Sequence, residues 1–390
     1  MTIPTLAAVD FGGPDAGPLL LLGPSLGTSA ATLWGAAAQR LTAHARVVGW
    51  DLPGHGRSTP AEPFTVADLA AAVLALADRL NVERFHYAGD SVGGCVGLQL
   101  ALDAPHRVLT ATVLCTGSVI GTPDGWHDRA RTVRTDGIAP MLASAAERWF
   151  AKGFTEHQPG ISATLMDSLA NADAESYART CEALAAFDVT DRLSEIITPV
   201  LTIAGAEDVP TPPESLQRIA SGVKDGEFVV LDGVGHLAPA EAPDQVSALI
   251  AEQAGLPPLP PARTTDDVYH AGMTVRREVL GDAHVDRAVA ATTDLTADFQ
   301  RMITEYAWGG IWTRPGLDRR SRSMITLTAL IARGHHEELV MHLRAARRNG
   351  MSNDEIKELI MQTAIYCGVP DANTAFRIAS DVLSEPEGKQ

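Results

Sequence analysis

Residues 86–94 read His86-Tyr87-Ala88-Gly89-Asp90-Ser91-Val92-Gly93-Gly94, and their reading decides the first fold of this chain. Phe85 to Ala88 has the apolar character of a buried strand end, and Val96 to Leu102 continues as an apolar helix. Between them, Gly89-Asp90-Ser91-Val92-Gly93 fits the pattern G-x-S-x-G. Strand, sharp turn and helix are the surroundings in which a serine is presented as a nucleophile. A serine on so tight a turn takes strained backbone angles, and side chains at 89 and 93 would collide with the neighbouring strand or helix. A small-residue turn whose serine merely caps a helix would carry the same letters, so the surroundings must decide.

Outward from the turn, Pro18–Leu22, Arg46–Trp50, Leu109–Cys115, Pro199–Gly205 and Glu227–Leu231 are short apolar runs that end in turn-rich loops. Helical stretches such as Val66–Leu80 alternate with them, which predicts a mostly parallel sheet with helices on both faces. The rhythm breaks between Gly117 and Leu193, a helical stretch carrying Trp126, Arg129, Arg131, Arg134, Arg148 and Trp149. An insert at this point would cover the strand ends where open α/β sheets bind ligands, so a lid is expected over about 117–193.

A nucleophilic serine needs a base and a group that orients the base. His236 lies in Gly233-Val234-Gly235-His236-Leu237, and Asp208 in Gly205-Ala206-Glu207-Asp208, both loops that follow strands. The order Ser91, Asp208, His236 is that of a hydrolytic triad on a parallel sheet. Glu207 competes with Asp208 for the acid role. His55 precedes the serine, out of order for the base, and reads as structural. The oxyanion hole is expected at the backbone N–H groups of Val92 and Leu26.

Composition bounds the rest. At 390 residues the chain has room for about two to three domains. Its net charge of -17 argues against nucleic acid and anionic membrane surfaces as partners, and obliges an anionic substrate to find a local arginine cluster. Cys95, Cys115, Cys181 and Cys367 are far apart, without metal-ligand or C-x-x-C spacing, which suits reduced thiols in the cytoplasm and calls for no metal. No apolar run reaches membrane-spanning length, and the N-terminus is not signal-like.

Ala254-Gly255-Leu256-Pro257-Pro258-Leu259-Pro260-Pro261 is too poor in amide donors for a sheet or helix interior. It divides the chain into a first domain over 1–255, a proline-rich linker over 256–261 and a second domain over 262–390. In the second, Phe299–Ala307, Asp318–Ala332, His335–Asn349, Asn353–Cys367 and Pro370–Leu383 carry helical periodicity, with no convincing strand. Such a thin all-α domain is expected to complete its core by homo-oligomerising. Glu338 and His342, four apart, share one helix face, with His335 a further turn back. Arg319, Arg320, Arg322, Arg344, Arg347 and Arg348 form two basic clusters.

The first domain resembles the α/β-hydrolases, and 3-oxoadipate enol-lactonases in particular. The resemblance rests on Ser25-Leu26-Gly27-Thr28, Trp34, Asp51-Leu52-Pro53-Gly54-His55-Gly56-Arg57-Ser58, Gly89-Asp90-Ser91-Val92-Gly93-Gly94, Trp126 with Arg129, and Gly235-His236. It implies a Ser91, His236, Asp208 triad acting on a small lactone with a carboxylate arm, with Trp126 and Arg129 as walls and Arg134 as a further candidate. Pro24 departs from the polar residue common there. The second domain resembles 4-carboxymuconolactone decarboxylases in Gly281-Asp282-Ala283-His284-Val285-Asp286-Arg287, Tyr306-Ala307-Trp308-Gly309, Ile311-Trp312-Thr313-Arg314-Pro315-Gly316-Leu317, His342-Leu343-Arg344-Ala345-Ala346 and Tyr366-Cys367-Gly368-Val369-Pro370. Glu338 and His335 stand where thiol redox relatives carry two cysteines, so thiol chemistry is not expected. The resemblance implies a cofactor-free bifunctional enzyme of the protocatechuate branch of the β-ketoadipate pathway, acting on small anionic lactones, with His342 and Glu338 serving the decarboxylation. A general carboxylesterase carrying a helical oligomerisation module is the alternative.

Overall fold

A computed structural model describes residues 3–260 and 265–384. The chain divides into two units after Pro260. The first is built on seven strands: β1 Ala8–Gly12, β2 Leu19–Gly23, β3 Arg46–Trp50, β4 Phe85–Asp90, β5 Val108–Leu114, β6 Val200–Gly205 and β7 Gly226–Leu231. They lie in the order β1-β3-β2-β4-β5-β6-β7. All neighbours are parallel except β1, which runs antiparallel to β3. The leucines of β2 are buried on both sides, as expected of a strand covered by helices on both faces. The sequence did not announce β1: as an edge strand it buries only Val9 fully, which leaves no apolar run to read.

Helices α1 Ala30–Leu41, α2 Val66–Arg79 and α3 Val92–Asp103 follow β2, β3 and β4. The expected insert comprises α4 Pro123–Asp136, α5 Ala139–Trp149, α6 Phe154–His157, α7 Pro159–Ala170 and α8 Ala174–Ala185. Thr122 starts α4 by accepting the Gly125 N–H at 3.2 Å, and Pro123 occupies its first turn. Asp173 starts α8 in the same way through Ser176 N–H at 2.8 Å. Helix α9 Pro213–Gly222 follows β6, and α10 Ala238–Glu241 and α11 Pro243–Gln253 follow β7.

Residues 256–260, expected as part of the linker, lie along the first unit. Leu256 and Leu259 pack on its core. Arg40 Nη2 donates to Pro260 O at 3.0 Å, and His44 Nε2 is 3.3 Å from Pro258 O. Prolines free no N–H for a ladder, but their carbonyls still accept. Pro261 and the expected start of the second domain at 262 lie outside the described residues.

The second unit is helical throughout its described residues. It contains α12 Thr265–Leu280, α13 Asp282–Ala290, α14 Ala297–Ile303, a π-helical run Thr304–Trp312, and then α15 Arg319–Arg333, α16 His336–Arg348, α17 Asn353–Cys367 and α18 Val369–Leu383. The last four match the expected helices closely. Helix α12 was missed because its inward side carries Gly272 and Arg276 as well as Val279 and Leu280, which spoils the apolar period, and α13 because it buries only Val285. Gly272 has a steric reason: a Cβ there would stand 2.3 Å from Thr304 O and 2.7 Å from Gly309 N, so only glycine lets the π-helical run approach. One core gathers Leu327, Ile331, Leu339, Leu343, Ile356 and Ile360, and a smaller one gathers Val279, Val285, Trp308 and Ala345. Ile325, Met361, Ile365, Tyr366 and Val369 remain exposed.

Candidate active sites

Ser91 stands between β4 and α3 with φ 53 and ψ −115, an angle pair that a non-glycine residue holds only when its surroundings enforce it. The enforcement is steric. A Cβ on Gly89 would stand 2.2 Å from Gly93 O, and one on Gly93 would stand 2.6 Å from the Gly23 carbonyl carbon. Gly93 N–H donates to Pro24 O at 3.0 Å, so Pro24 serves the turn through its carbonyl. Trp34 Nε1 holds the start of the same loop by donating to Gly23 O at 2.9 Å. The N–H groups of Leu26 and Val92 find no acceptor among the described residues. These are the two donors expected for an oxyanion, and Val92 also opens α3, where the helix dipole favours negative charge.

His236 Nε2 lies 3.0 Å from Ser91 Oγ, and His236 Nδ1 lies 3.0 Å from each Asp208 oxygen. Asp208 also accepts Thr211 N–H at 2.9 Å and Thr211 Oγ1–H at 2.7 Å. Burial opposes ionisation of Asp208, but the charge and hydrogen bond of His236 together with the two Thr211 bonds outweigh it, and its pKa falls below the usual value. Glu207 points elsewhere and accepts Lys152 N–H at 2.8 Å. His55 is buried, with Nδ1 2.9 Å from Pro53 O, and burial pushes its pKa down.

A cavity of about 150 Å³ opens on this trio, lined by Leu26, Arg129, Arg148, Trp149 and Tyr177 among others. The insert therefore roofs the strand ends. Arg129 lies over the Trp126 ring at 5.0 Å. Arg134, expected to touch substrate, is committed instead to Glu175 at 2.8 Å and to Glu182, tying α4 to α8. It lies on the side of α4 that meets α8, and the two carboxylates satisfy its guanidinium.

In the second unit His342 is half-buried on α16, and Glu338 one turn earlier is exposed. Glu338 does not keep the His342 pKa at its ordinary value. Burial, and after it the nearby His284, push the His342 pKa down to about 4, against a partial opposing pull from Glu338. His284 on α13 is itself lowered by burial and then by Arg287, Arg276, Arg348 and Arg344. Arg276 is buried, donating to Thr304 Oγ1 and Gln300 Oε1, both at 3.1 Å. Two histidines are thus gathered with several arginines in an acidic protein. His335 and Tyr366 are exposed.

The alpha/beta hydrolase fold model matches residues 18–243, and the carboxymuconolactone decarboxylase family model matches residues 297–381. The chain belongs to both families, joined end to end. The hydrolase-family part is similar to 3-oxoadipate enol-lactonase 1 of Acinetobacter baylyi, 34% identical over 238 residues, covering 61% of this chain and 89% of that one. It also superposes on the crystal structure of the enol-lactonase from Burkholderia xenovorans with a TM-score of 0.62 at 30% identity, over 64% of this chain and 96% of that one. The decarboxylase-family part is similar to 4-carboxymuconolactone decarboxylase of Acinetobacter baylyi, 45% identical over 117 residues, which are 30% of this chain and 87% of that one.

Sequence reading missed three supports of the hydrolase-family site. Thr211 braces Asp208. Glu241 accepts the N–H groups of Ala151, Gly235 and Leu237 at 2.9, 3.2 and 3.3 Å. Asp90, beside the serine, is fully buried, and burial raises its pKa well above the usual range. Thr211 lies in the loop after β6, Glu241 ends α10 and Asp90 ends β4, and none carries a local signal of such a role. In the decarboxylase-family unit, His284 was read only as part of a motif, and its position near His342 comes from the packing of both α13 and α16 on α12. No helix among the described residues is long and apolar enough to cross a membrane.

Proposed function

We propose that this chain is a bifunctional enzyme of the protocatechuate branch of the β-ketoadipate pathway. Its second unit decarboxylates 4-carboxymuconolactone to 3-oxoadipate enol-lactone, and its first unit hydrolyses that lactone to 3-oxoadipate. The observation that carries the reading is the pair of family matches on one chain: loss of CO2 from the lactone in one relative's name, with a proton returned beside the carbonyl, gives the enol-lactone in the other's. The substrates are small anionic lactones, and the setting is cytoplasmic.

In the first unit Ser91 Oγ attacks the lactone carbonyl while His236 takes its proton, and Asp208 holds the ring and steadies the imidazolium. The oxyanion accepts the free N–H groups of Leu26 and Val92. Collapse expels the enol oxygen, which His236 protonates. Water then releases the acyl group, and the enol tautomerises to the ketone. Support comes from the 3.0 Å contacts that join the three side chains below the cavity.

In the second unit the bond to the departing carboxylate breaks, and its electron pair runs through the ring double bond onto the lactone carbonyl. That delocalisation needs no electron-sink cofactor. A proton must then return to the carbon beside the carbonyl. His342 is neutral in the free protein, and a dianionic substrate beside it would raise its pKa and bring in that proton. Glu338 assists from one turn away. The exposed apolar residues Ile325, Met361, Ile365, Tyr366 and Val369 support self-association through this unit.

The test is a time course from 4-carboxymuconolactone that follows both products. Ser91→Ala is expected to accumulate the enol-lactone, and His342→Gln to block its formation while added enol-lactone is still opened. Continued 3-oxoadipate formation by Ser91→Ala above the spontaneous rate would overturn the triad.

A further inference from the structure

Two arginines of the insert reach the hydrolase cavity, and they are held differently. Arg129 stands half-buried on α4 with its guanidinium over the Trp126 ring at 5.0 Å. Burial pushes the pKa values of Tyr177 and Cys181 up, and the Arg129 charge, which reaches both, offsets only part of that rise. Trp126 is in turn fixed through Nε1 to Ile120 O at 2.5 Å, so Arg129 is clamped against the wall. Arg148 stands in the last turn of α5 beside Trp149. Its Nε donates to Ser144 O at 3.2 Å, which anchors the base of the fork, and among the described residues its two terminal nitrogens find no acceptor.

The acids of the surrounding elements are committed elsewhere. Glu175 and Glu182 bind Arg134, and Glu175 also binds Arg179. Glu207 and Glu241 accept backbone N–H groups, and Asp208 is taken by His236 and Thr211. A guanidinium fork with both ends unpaired, facing a cavity of about 150 Å³ that also holds Ser91 and His236, is built to receive a carboxylate in two parallel hydrogen bonds.

We propose that Arg148 is the anchor for the free carboxylate of an anionic ester or lactone in this cavity, while Arg129 forms a charged wall. The proposal rests on the hydrolase reading given above. It names a residue other than the Trp126 and Arg129 pair implied by family resemblance. A purely structural account of Arg148 also exists: a cation in the last turn of a helix compensates the helix dipole. The two accounts differ in what they do to substrate choice. Loss of an anchor changes the preference for an anion, whereas loss of a helix end harms all substrates alike.

The experiment uses the full chain and a chromogenic pair, 4-nitrophenyl hydrogen glutarate and the neutral 4-nitrophenyl valerate, alongside 3-oxoadipate enol-lactone. The reading is the ratio of kcat/KM for the anionic ester to that for the neutral one. Arg148→Ala is expected to lower this ratio by about ten- to a hundredfold, the usual weight of a charge-assisted hydrogen bond. Arg148→Lys, which keeps the charge and loses the fork, should recover part of it. Arg129→Ala should lower both substrates together. Arg131→Ala, whose partner is Asp128 on the exposed side of α4, should leave the ratio unchanged. Equal losses on both esters in Arg148→Ala, a wild type with no preference for the anionic ester, or a larger fall of the ratio in Arg129→Ala would each overturn the proposal. Failure of the wild type to open the enol-lactone would sink the lactone reading alone, since the ester pair still judges Arg148.

Discussion

Glu241 holds His236 from both sides: one carboxylate oxygen accepts the N–H groups of Gly235 and Leu237, the residues flanking the histidine, at 3.2 and 3.3 Å. The other oxygen accepts Ala151 N–H at 2.9 Å, and His236 N–H donates to Trp149 O at 2.8 Å. The loop that carries His236 and the chain at the end of α5 are therefore fastened together by one half-buried side chain. Its burial raises the Glu241 pKa, and the three N–H bonds work against that rise.

Glu241→Ala would leave three backbone donors without their acceptor. A cost of about 1–3 kcal/mol is expected, with kcat for ester hydrolysis falling about tenfold or more and KM changing little. Glu241→Gln keeps an acceptor oxygen and should recover part of the rate. Thermal unfolding and a kcat–KM split measure this. An unchanged kcat in the alanine variant would mean that the His236 loop holds its geometry without Glu241.

Thr211→Val removes the hydroxyl that donates to Asp208 at 2.7 Å and leaves the Thr211 N–H bond in place. Asp208 has a depressed pKa, so its ionised form supplies stability above the unfolded value near 3.8, and that stability is lost as pH falls through the folded value. The variant should be less stable by about 1–3 kcal/mol near neutral pH, and the gap should narrow below pH 3.8. Urea unfolding at the two pH values tests this; a gap independent of pH would assign the loss to packing.

Arg134→Ala separates structure from substrate binding. Arg134 and its partners Glu175 and Glu182 are each more than a third exposed, so solvent screens the cluster, and its removal should cost about 1 kcal/mol or less. Hydrolysis of the anionic and neutral esters should change in parallel. A selective loss on the anionic ester would return Arg134 to the substrate.

His342 makes the second unit sensitive to acid. Its folded pKa of about 4 lies below the ordinary 6.5, so between those values the unfolded chain binds more protons and stability falls as pH falls. The loss across that window is at most about 3 kcal/mol, and less because the ring is only partly buried. His342→Gln should flatten the slope of stability against pH in unfolding of the full chain between those limits. An equally steep slope would place the titrating group elsewhere.

Local backbone chemistry was legible in residue order. Gly89, Ser91 and Gly93 spell the strained turn because only glycine avoids the contacts made there, and loops after strands deliver Asp208 and His236 in sequence. Proline density marked the division of the chain, although residues 256–260 proved to lie on the first unit. Helices α15 to α18 announced themselves through their apolar stripes, while α12 hid because Gly272 and Arg276 face inward. Packing decided the rest. Arg129, Arg134 and Arg148 are equivalent letters in one insert, but the phase of α4 against α8 commits Arg134 to two glutamates, and the end of α5 aims Arg148 at the cavity. Glu338 and His342 share a helix face as their spacing requires, yet burial governs the proton on His342, and burial is set by the helices that pack around it. Spacing along a chain prescribes which side chains share a turn or a face; desolvation and the pairing of distant charges exist only once those faces meet.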